Sequence, residues 1–214
     1  MDSFANPDGA QIVADLVTAI RENSQHLSDI DGAIGDGDHG VNMNKGFGLA
    51  EAELEKNPGN LTQGLKVVSR TLMNSIGGAM GPLYGMFFRG LSKGSEGKDR
   101  IDAATFGEML TGSETALRTL SQAQVGDKTL MDALLPAVSA YTVALARGRS
   151  FTECLELMAQ AAEQGRDSTR DLVAKAGRAS RLGERSRGTQ DAGATSCALL
   201  LRTMANSIKN LLLW

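Results

Sequence analysis

The chain has 214 residues, 42% hydrophobic and 22% charged, an ordinary globular balance whose length suits one well-buried domain over 1–214. Its formal net charge of −3 leaves no basic footprint for nucleic acid or an anionic membrane surface. No apolar run approaches the roughly 20 residues of a membrane span, no basic-then-apolar leader opens the chain, and two cysteines without metal or redox spacing, Cys154 and Cys197, fit a reducing cytoplasm.

Helical spacing dominates from the start. Ile12, Val13, Leu16, Val17 and Ile20 make one face of a first helix, and a second is expected over about 40–56. Leu61, Leu65, Val68, Leu72 and Ile76 recur at steps of three and four, and a fourth helix fits about 82–93. The same period returns in Phe106, Met109, Leu110, Leu117 and Leu120, then in Leu134, Leu135, Val138, Tyr141 and Leu145. Cys154, Leu155, Met158, Ala161 and Ala162 lead an Ala-rich seventh helix, and Leu199, Leu200, Met204, Ile208, Leu211 and Leu212 close the chain. Strand-like alternation is absent throughout. Asn57-Pro58-Gly59-Asn60, Gly77-Gly78, Gly94-Ser95-Glu96-Gly97, Gly126-Asp127-Lys128 and Gly148 punctuate the helices. Eight helices joined by short links predict an all-α, antiparallel up-and-down bundle or barrel. One link is long: from Gly177 to Gly193 the chain carries four glycines and Arg178, Arg181, Arg185 and Arg187, the profile of a functional or solvated loop.

The link between the first two helices is chemically distinctive. Asp31, Asp36 and Asp38 are interleaved with Gly32, Gly35, Gly37 and Gly40. Gly35-x-Gly37-x-x-Gly40 matches a dinucleotide fingerprint as a string, but no strand precedes it and two carboxylates would repel a pyrophosphate. Counted from Asp36 as an EF-hand, the sixth position is Val41 and the twelfth Phe47, so that pattern fails as well. Mg²⁺ remains: it takes oxygen ligands and shares a few carboxylates with substrate phosphates, and three carboxylates could hold two ions. Amides around His39, Gly40, Val41 and Asn42 would then meet phosphate at a helix N-terminus. The plain alternative, Gly and Asp clustering in turns and caps, stays open on these residues alone. Gly77–Leu83 reads either as a helix stop followed by Pro82 at a helix start, or as a phosphate cradle. Asp191 either caps the last helix or accepts from a ribose hydroxyl. His26 is expected at a helix end without a second ligand nearby.

Taken together and in order, IGDGDHGVNMNKGF from Ile34, GGAMGPLYGMFF from Gly77, GDKTLMDALLP from Gly126 and GRASRLGERSRGTQDAGATS from Gly177 resemble the family of ADP-binding L subunits (DhaL) of bacterial dihydroxyacetone kinase. The resemblance spans essentially the whole chain. It implies a barrel of eight antiparallel helices with ADP or ATP and two Mg²⁺ at one end. Asp31, Asp36 and Asp38 would be the metal ligands. His39, Gly40, Val41, Asn42, Ala79 and Met80 would contact phosphates. Ser121 and Leu130 would border the adenine, Arg178 would stabilise phosphate charge, and Asp191, Ala192 and Gly193 would close over the nucleotide.

The same resemblance implies an enzyme subunit that passes the γ-phosphoryl group to a ketose held on a separate K subunit. Recharging of bound ADP by a phosphohistidine on an M subunit of the phosphotransferase system belongs to one branch, direct use of ATP to another. A transcription regulator is a further partner such subunits meet, and a non-catalytic regulatory role is compatible with intact motifs. The chain departs from the family pattern at Met80, Arg181, Thr189 and Ala192, where Ser, Tyr, His and Pro are common. These positions bear on donor, partner and acceptor, including a tetrulose as the acceptor, rather than on the three aspartates.

Overall fold

A computed structural model describes residues 2–213. Eight α-helices account for most of them: α1 (Ala10–Ile34), α2 (His39–Lys56), α3 (Leu61–Ser75), α4 (Met80–Gly94), α5 (Ala103–Arg118), α6 (Met131–Ala146), α7 (Phe151–Ser168) and α8 (Ala192–Leu212). Each packs on its sequence neighbours, and α8 returns to α1 to close the ring. The periodic residues form the shared interior. Leu16, Ile20, Leu27, Phe47, Leu72, Leu110, Leu134, Leu155 and Leu201 are all fully buried, and each such side chain contributes about 1.5–3 kcal/mol of apolar transfer. Edge-to-face aromatics, Phe47 on Phe88 at 5.6 Å and Phe106 on Tyr141 at 5.5 Å, pack within this core.

The up-and-down order places the starts of α2, α4, α6 and α8 and the ends of α1, α3, α5 and α7 at one end of the barrel. At the opposite end, local chemistry fixes where helices begin. Asn60 with Gln63, and Ser150 with Glu153, form capping boxes for α3 and α7, and Asp102 accepts from the Thr105 amide to start α5. That end also carries a short antiparallel pairing of β1 (Ser3–Ala5) with β2 (Arg100–Asp102), Phe4 opposite Ile101 and both buried. The sequence reading contained no strand, because three residues are too few for an alternation to register.

Two boundaries move with consequence. The first helix runs on to Ile34, so Asp31 sits in its last turn and His26 lies mid-helix and exposed rather than at a helix end. The long link from Gly177 to Gly193 is not structureless, since 3₁₀ turns occupy Arg178–Ser186, and a further 3₁₀ turn, Thr169–Asp171, follows directly on α7.

Candidate functional site

The three aspartates come together where α1 hands over to α2. Asp31 projects from the last turn of α1, while Asp36 and Asp38 lie on the connecting turn, whose Gly37 has φ +78°. One carboxylate oxygen from each lies within 4.8 Å of the other two. The glycine beside them has a steric reason. A Cβ on Gly35 would stand 2.5 Å from Asp31 Oδ1, so any larger residue would displace that carboxylate. The His39 amide donates to Asp31 Oδ2 at 3.3 Å, which orients it. Arg178 Nη1 pairs with the Asp36 carboxylate and lies 3.5 Å from Asp38 Oδ2. An all-oxygen, partly exposed donor set of this kind fits a hard divalent cation such as Mg²⁺.

The carboxylates form part of the wall of a cavity of about 1100 Å³ at the barrel end. Four segments far apart in sequence share that wall. Asp31, Asp36, Asp38, His39 and Asn42 come from the first, and Ala79 and Met80 from the start of α4. Ser121 and Leu130 come from the α5–α6 link, Arg178 and Asp191 from the segment before α8, and Ala192 and Gly193 from the start of α8. Gly40 and Val41 stand apart from it. Gly40 is buried where α2 crosses α1, and a Cβ there would meet the Ser24 carbonyl oxygen at 1.8 Å. Val41 points its side chain to solvent, and its amide donates to Ser28 Oγ at 3.3 Å. Leu83, Leu120, Leu130 and Met131 add apolar lining to the same cavity. The wall therefore combines carboxylates with apolar side chains.

Helix starts differ between the two barrel ends. The N-cap residues of α2, α4 and α6 at the cavity end make no side-chain cap, although the His39, Val41 and Met131 amides donate to the side chains of Asp31, Ser28 and Thr129. Their first amides, Met80 and Gly81 among them, face the cavity end with the positive pole of each helix, a favourable setting for phosphate oxygens. α8 is the exception. Asp191 Oδ2 accepts from the Ala194 amide at 2.7 Å, so the cap reading holds for Asp191 while it also lines the cavity. Burial pushes the Asp191 carboxyl up to about 7, against the pull of that amide.

A polar relay crosses the interior wall. His39 Nε2 meets Ser196 Oγ at 2.8 Å, Ser196 Oγ lies 2.5 Å from the Tyr84 hydroxyl, and that hydroxyl donates to the Gly193 carbonyl at 2.9 Å. Three helices, α2, α4 and α8, are thereby held in one register. Burial pushes His39 down to about 4, with Asp31 opposing, so the imidazole is neutral near pH 7. Burial raises the Tyr84 hydroxyl well above its ordinary range, which keeps it a donor.

Sequence reasoning passed over two residues of the cavity wall, Tyr84 and Lys128, and two that support them, Ser196 and Asp132. Lys128 lines the cavity yet is fully buried, and Asp132 accepts from the amides of Gly126 at 2.6 Å and Thr129 at 2.7 Å, fixing the turn that carries it. The signal was present, for Lys128 and Asp132 are the charged residues of an otherwise apolar run, Lys128–Pro136.

Comparison with known proteins covers nearly the whole chain. A family model described as the DAK2 domain matches residues 33–206. The chain is 38% identical over 191 residues to PEP-dependent dihydroxyacetone kinase 1, ADP-binding subunit DhaL, of Listeria innocua, covering 89% of this chain and 90% of that one. It is 35% identical over 190 residues to the subunit of the same kind from Escherichia coli, covering 87% and 89%. The fold matches the crystal structure of the dihydroxyacetone kinase from C. freundii in complex with AMP-PNP and Mg²⁺, with a TM-score of 0.66 and 23% identity. That match covers 92% of this chain and 33% of the C. freundii protein, so the chain spans about a third of it.

Proposed function

The chain belongs to the DAK2-domain family, and from that membership we propose that it is the nucleotide-binding, phosphoryl-transfer subunit of a short-ketose kinase of the dihydroxyacetone kinase type. ADP or ATP occupies the barrel-end cavity with its base toward Leu83, Leu120 and Leu130 and its phosphates toward the acidic turn. Asp31, Asp36 and Asp38 hold two Mg²⁺, whose charge offsets that of the polyphosphate. The open amides of Met80 and Gly81 and the Arg178 guanidinium supply further positive charge from the protein. His39, kept neutral and tied to Ser196, orients without adding charge. Asp191, Ala192 and Gly193 close the wall at the start of α8. Chemistry at such a site is positioning and charge neutralisation, with no covalent step demanded of the protein.

The observation that carries this reading is the convergence of four sequence-distant segments on one cavity lined by three clustered carboxylates, apolar side chains and the start of α4, whose N-cap makes no side-chain bond. The ketose, dihydroxyacetone or a relative such as a tetrulose, is held by a separate K subunit. The γ-phosphoryl group is replenished on resident ADP by a phosphohistidine of a phosphotransferase-system M subunit, in the cytoplasm. No helix among the described residues is long and apolar enough to cross a membrane, which accords with that setting.

One experiment tests the reading and its branch together. The purified protein is analysed by mass for co-purified nucleotide, then challenged with labelled ATP in Mg²⁺. Retained, slowly exchanging ADP is the expected result. Rapid exchange would overturn the phosphoprotein branch in favour of direct ATP use. Saturable Mg·ADP binding without transfer in the presence of the K subunit and donor would point to a regulatory module. Absence of any nucleotide binding would overturn the proposal.

A further inference from the structure

Lys128 is a buried lysine whose ammonium, among the described residues, bonds to backbone carbonyls alone. Its ammonium donates to three backbone carbonyls: Thr169 at 2.7 Å, Leu172 at 3.3 Å and Thr189 at 2.5 Å. All three N–H donors of the ammonium are thus used. Two of these carbonyls precede Arg178 and one follows it, so a single buried cation joins the two ends of the segment carrying Arg178. Its backbone is also set apart, at φ +62°, the one non-glycine residue with positive φ among the described residues. Asp132 holds the turn in that shape through the Gly126 and Thr129 amides. Outer contacts close the same strap. The Lys175 amide donates to the Asp127 carbonyl at 3.1 Å, and the Gly188 amide donates to the Arg170 carbonyl at 2.8 Å.

We propose that Lys128 is the positioning residue of the site: by pinning both ends of the 169–189 strap to the Gly126–Thr129 turn, it holds Arg178 over the acidic turn and so sets nucleotide affinity without touching the nucleotide. The affinity part rests on the nucleotide reading above, whereas the strap part does not.

The test uses the full chain and two readouts. Trypsin cuts after Arg178, Arg181, Arg185 and Arg187, all on the strap. In Lys128→Met, cleavage at these sites should be at least tenfold faster than in the unsubstituted protein, while cleavage after Lys45 and Lys66 stays within twofold. Mg·ADP affinity, by titration calorimetry, should fall about tenfold in Lys128→Met and in Arg178→Ala, yet Lys128→Met should add less than twofold in the Arg178→Ala background. If Lys128→Met does not fold by circular dichroism, Lys128→Gln, which keeps two donors on a shorter arm, takes its place with the same ordering. Unchanged strap cleavage, or penalties that add fully in the double variant, would overturn the proposal. Failure of the unsubstituted protein to bind Mg·ADP would instead overturn the nucleotide reading, leaving the proteolysis result to decide the clamp.

Discussion

His39 Nε2 and Ser196 Oγ meet at 2.8 Å across 157 residues of chain, joining the first turn of α2 to the second turn of α8. The Ser196 hydroxyl also meets Tyr84 at 2.5 Å, so one small side chain serves two buried partners from two other helices. Removing it takes the Nε2 partner from His39, while the Tyr84 hydroxyl keeps the Gly193 carbonyl at 2.9 Å. Ser196→Ala should lower unfolding free energy by about 1–3 kcal/mol, the cost of leaving a buried polar group unpaired. Mg·ADP affinity should weaken as His39 loses its fixed orientation. Urea unfolding and titration calorimetry check the two effects, and a variant unchanged in both would mean that the relay constrains nothing.

Much of this arrangement was legible in the sequence for a physical reason. Helical periodicity is written by burial, and Leu61, Leu65, Val68 and Leu72 face the core at the spacing that revealed them. The acidic turn was legible because Gly and Asp at that density have few structural explanations. The 3–5 and 100–102 pairing escaped because each strand is three residues long. Asp31 was placed on a turn, although the helix continues through Gly32 and Ala33 to Ile34, carried by the packing of α1 on α2 and α8 rather than by local propensity. Lys128 and Ser196 act through partners 41 to 157 residues away, and no local pattern encodes such contacts.

Asp36 separates binding from folding most cleanly. It is exposed, lies on a turn, and its only paired partner among the described residues is Arg178. Asp36→Asn removes one of three converging carboxylates while keeping size and shape. Mg·ADP affinity should fall at least about 100-fold, roughly 2.7 kcal/mol, with the melting temperature within a few degrees of the unsubstituted protein. Retained nucleotide and unchanged turnover in Asp36→Asn would sink the metal assignment.

Glu156 makes a pH prediction far from the site. Hydrogen bonds from Lys209 and Arg202 draw its carboxyl down to about 2. A carboxylate lowered in the folded state adds stability that is complete above its unfolded value near 4.5 and is lost as pH falls toward 2. Urea midpoints should therefore drop between pH 5 and pH 3 in the unsubstituted protein. Glu156→Gln, which cannot ionise, should show a shallower drop over the same interval. Parallel pH profiles for the two proteins would remove the ion network from any account of acid sensitivity.

Two glycines on the same helix, eight residues apart, give opposite expectations. At Gly40 a Cβ would lie 1.8 Å from the Ser24 carbonyl oxygen and 2.8 Å from the Ser28 amide nitrogen, both backbone atoms that cannot rotate away. At Gly48 a Cβ would meet nothing within 4 Å. Gly48→Ala should therefore be neutral or stabilising by up to about 1 kcal/mol through helix propensity. Gly40→Ala gains the same propensity but must push the start of α2 off α1, a backbone shift of the kind that costs about 1–3 kcal/mol or more. That start carries His39 and Asn42, while Asp31 stays behind on α1, so the displacement also pulls apart the cavity wall. Gly40→Ala should accordingly lose both stability and Mg·ADP affinity, and Gly48→Ala neither. Equal effects of the two substitutions would show that the close approach of α1 and α2 does not position the site.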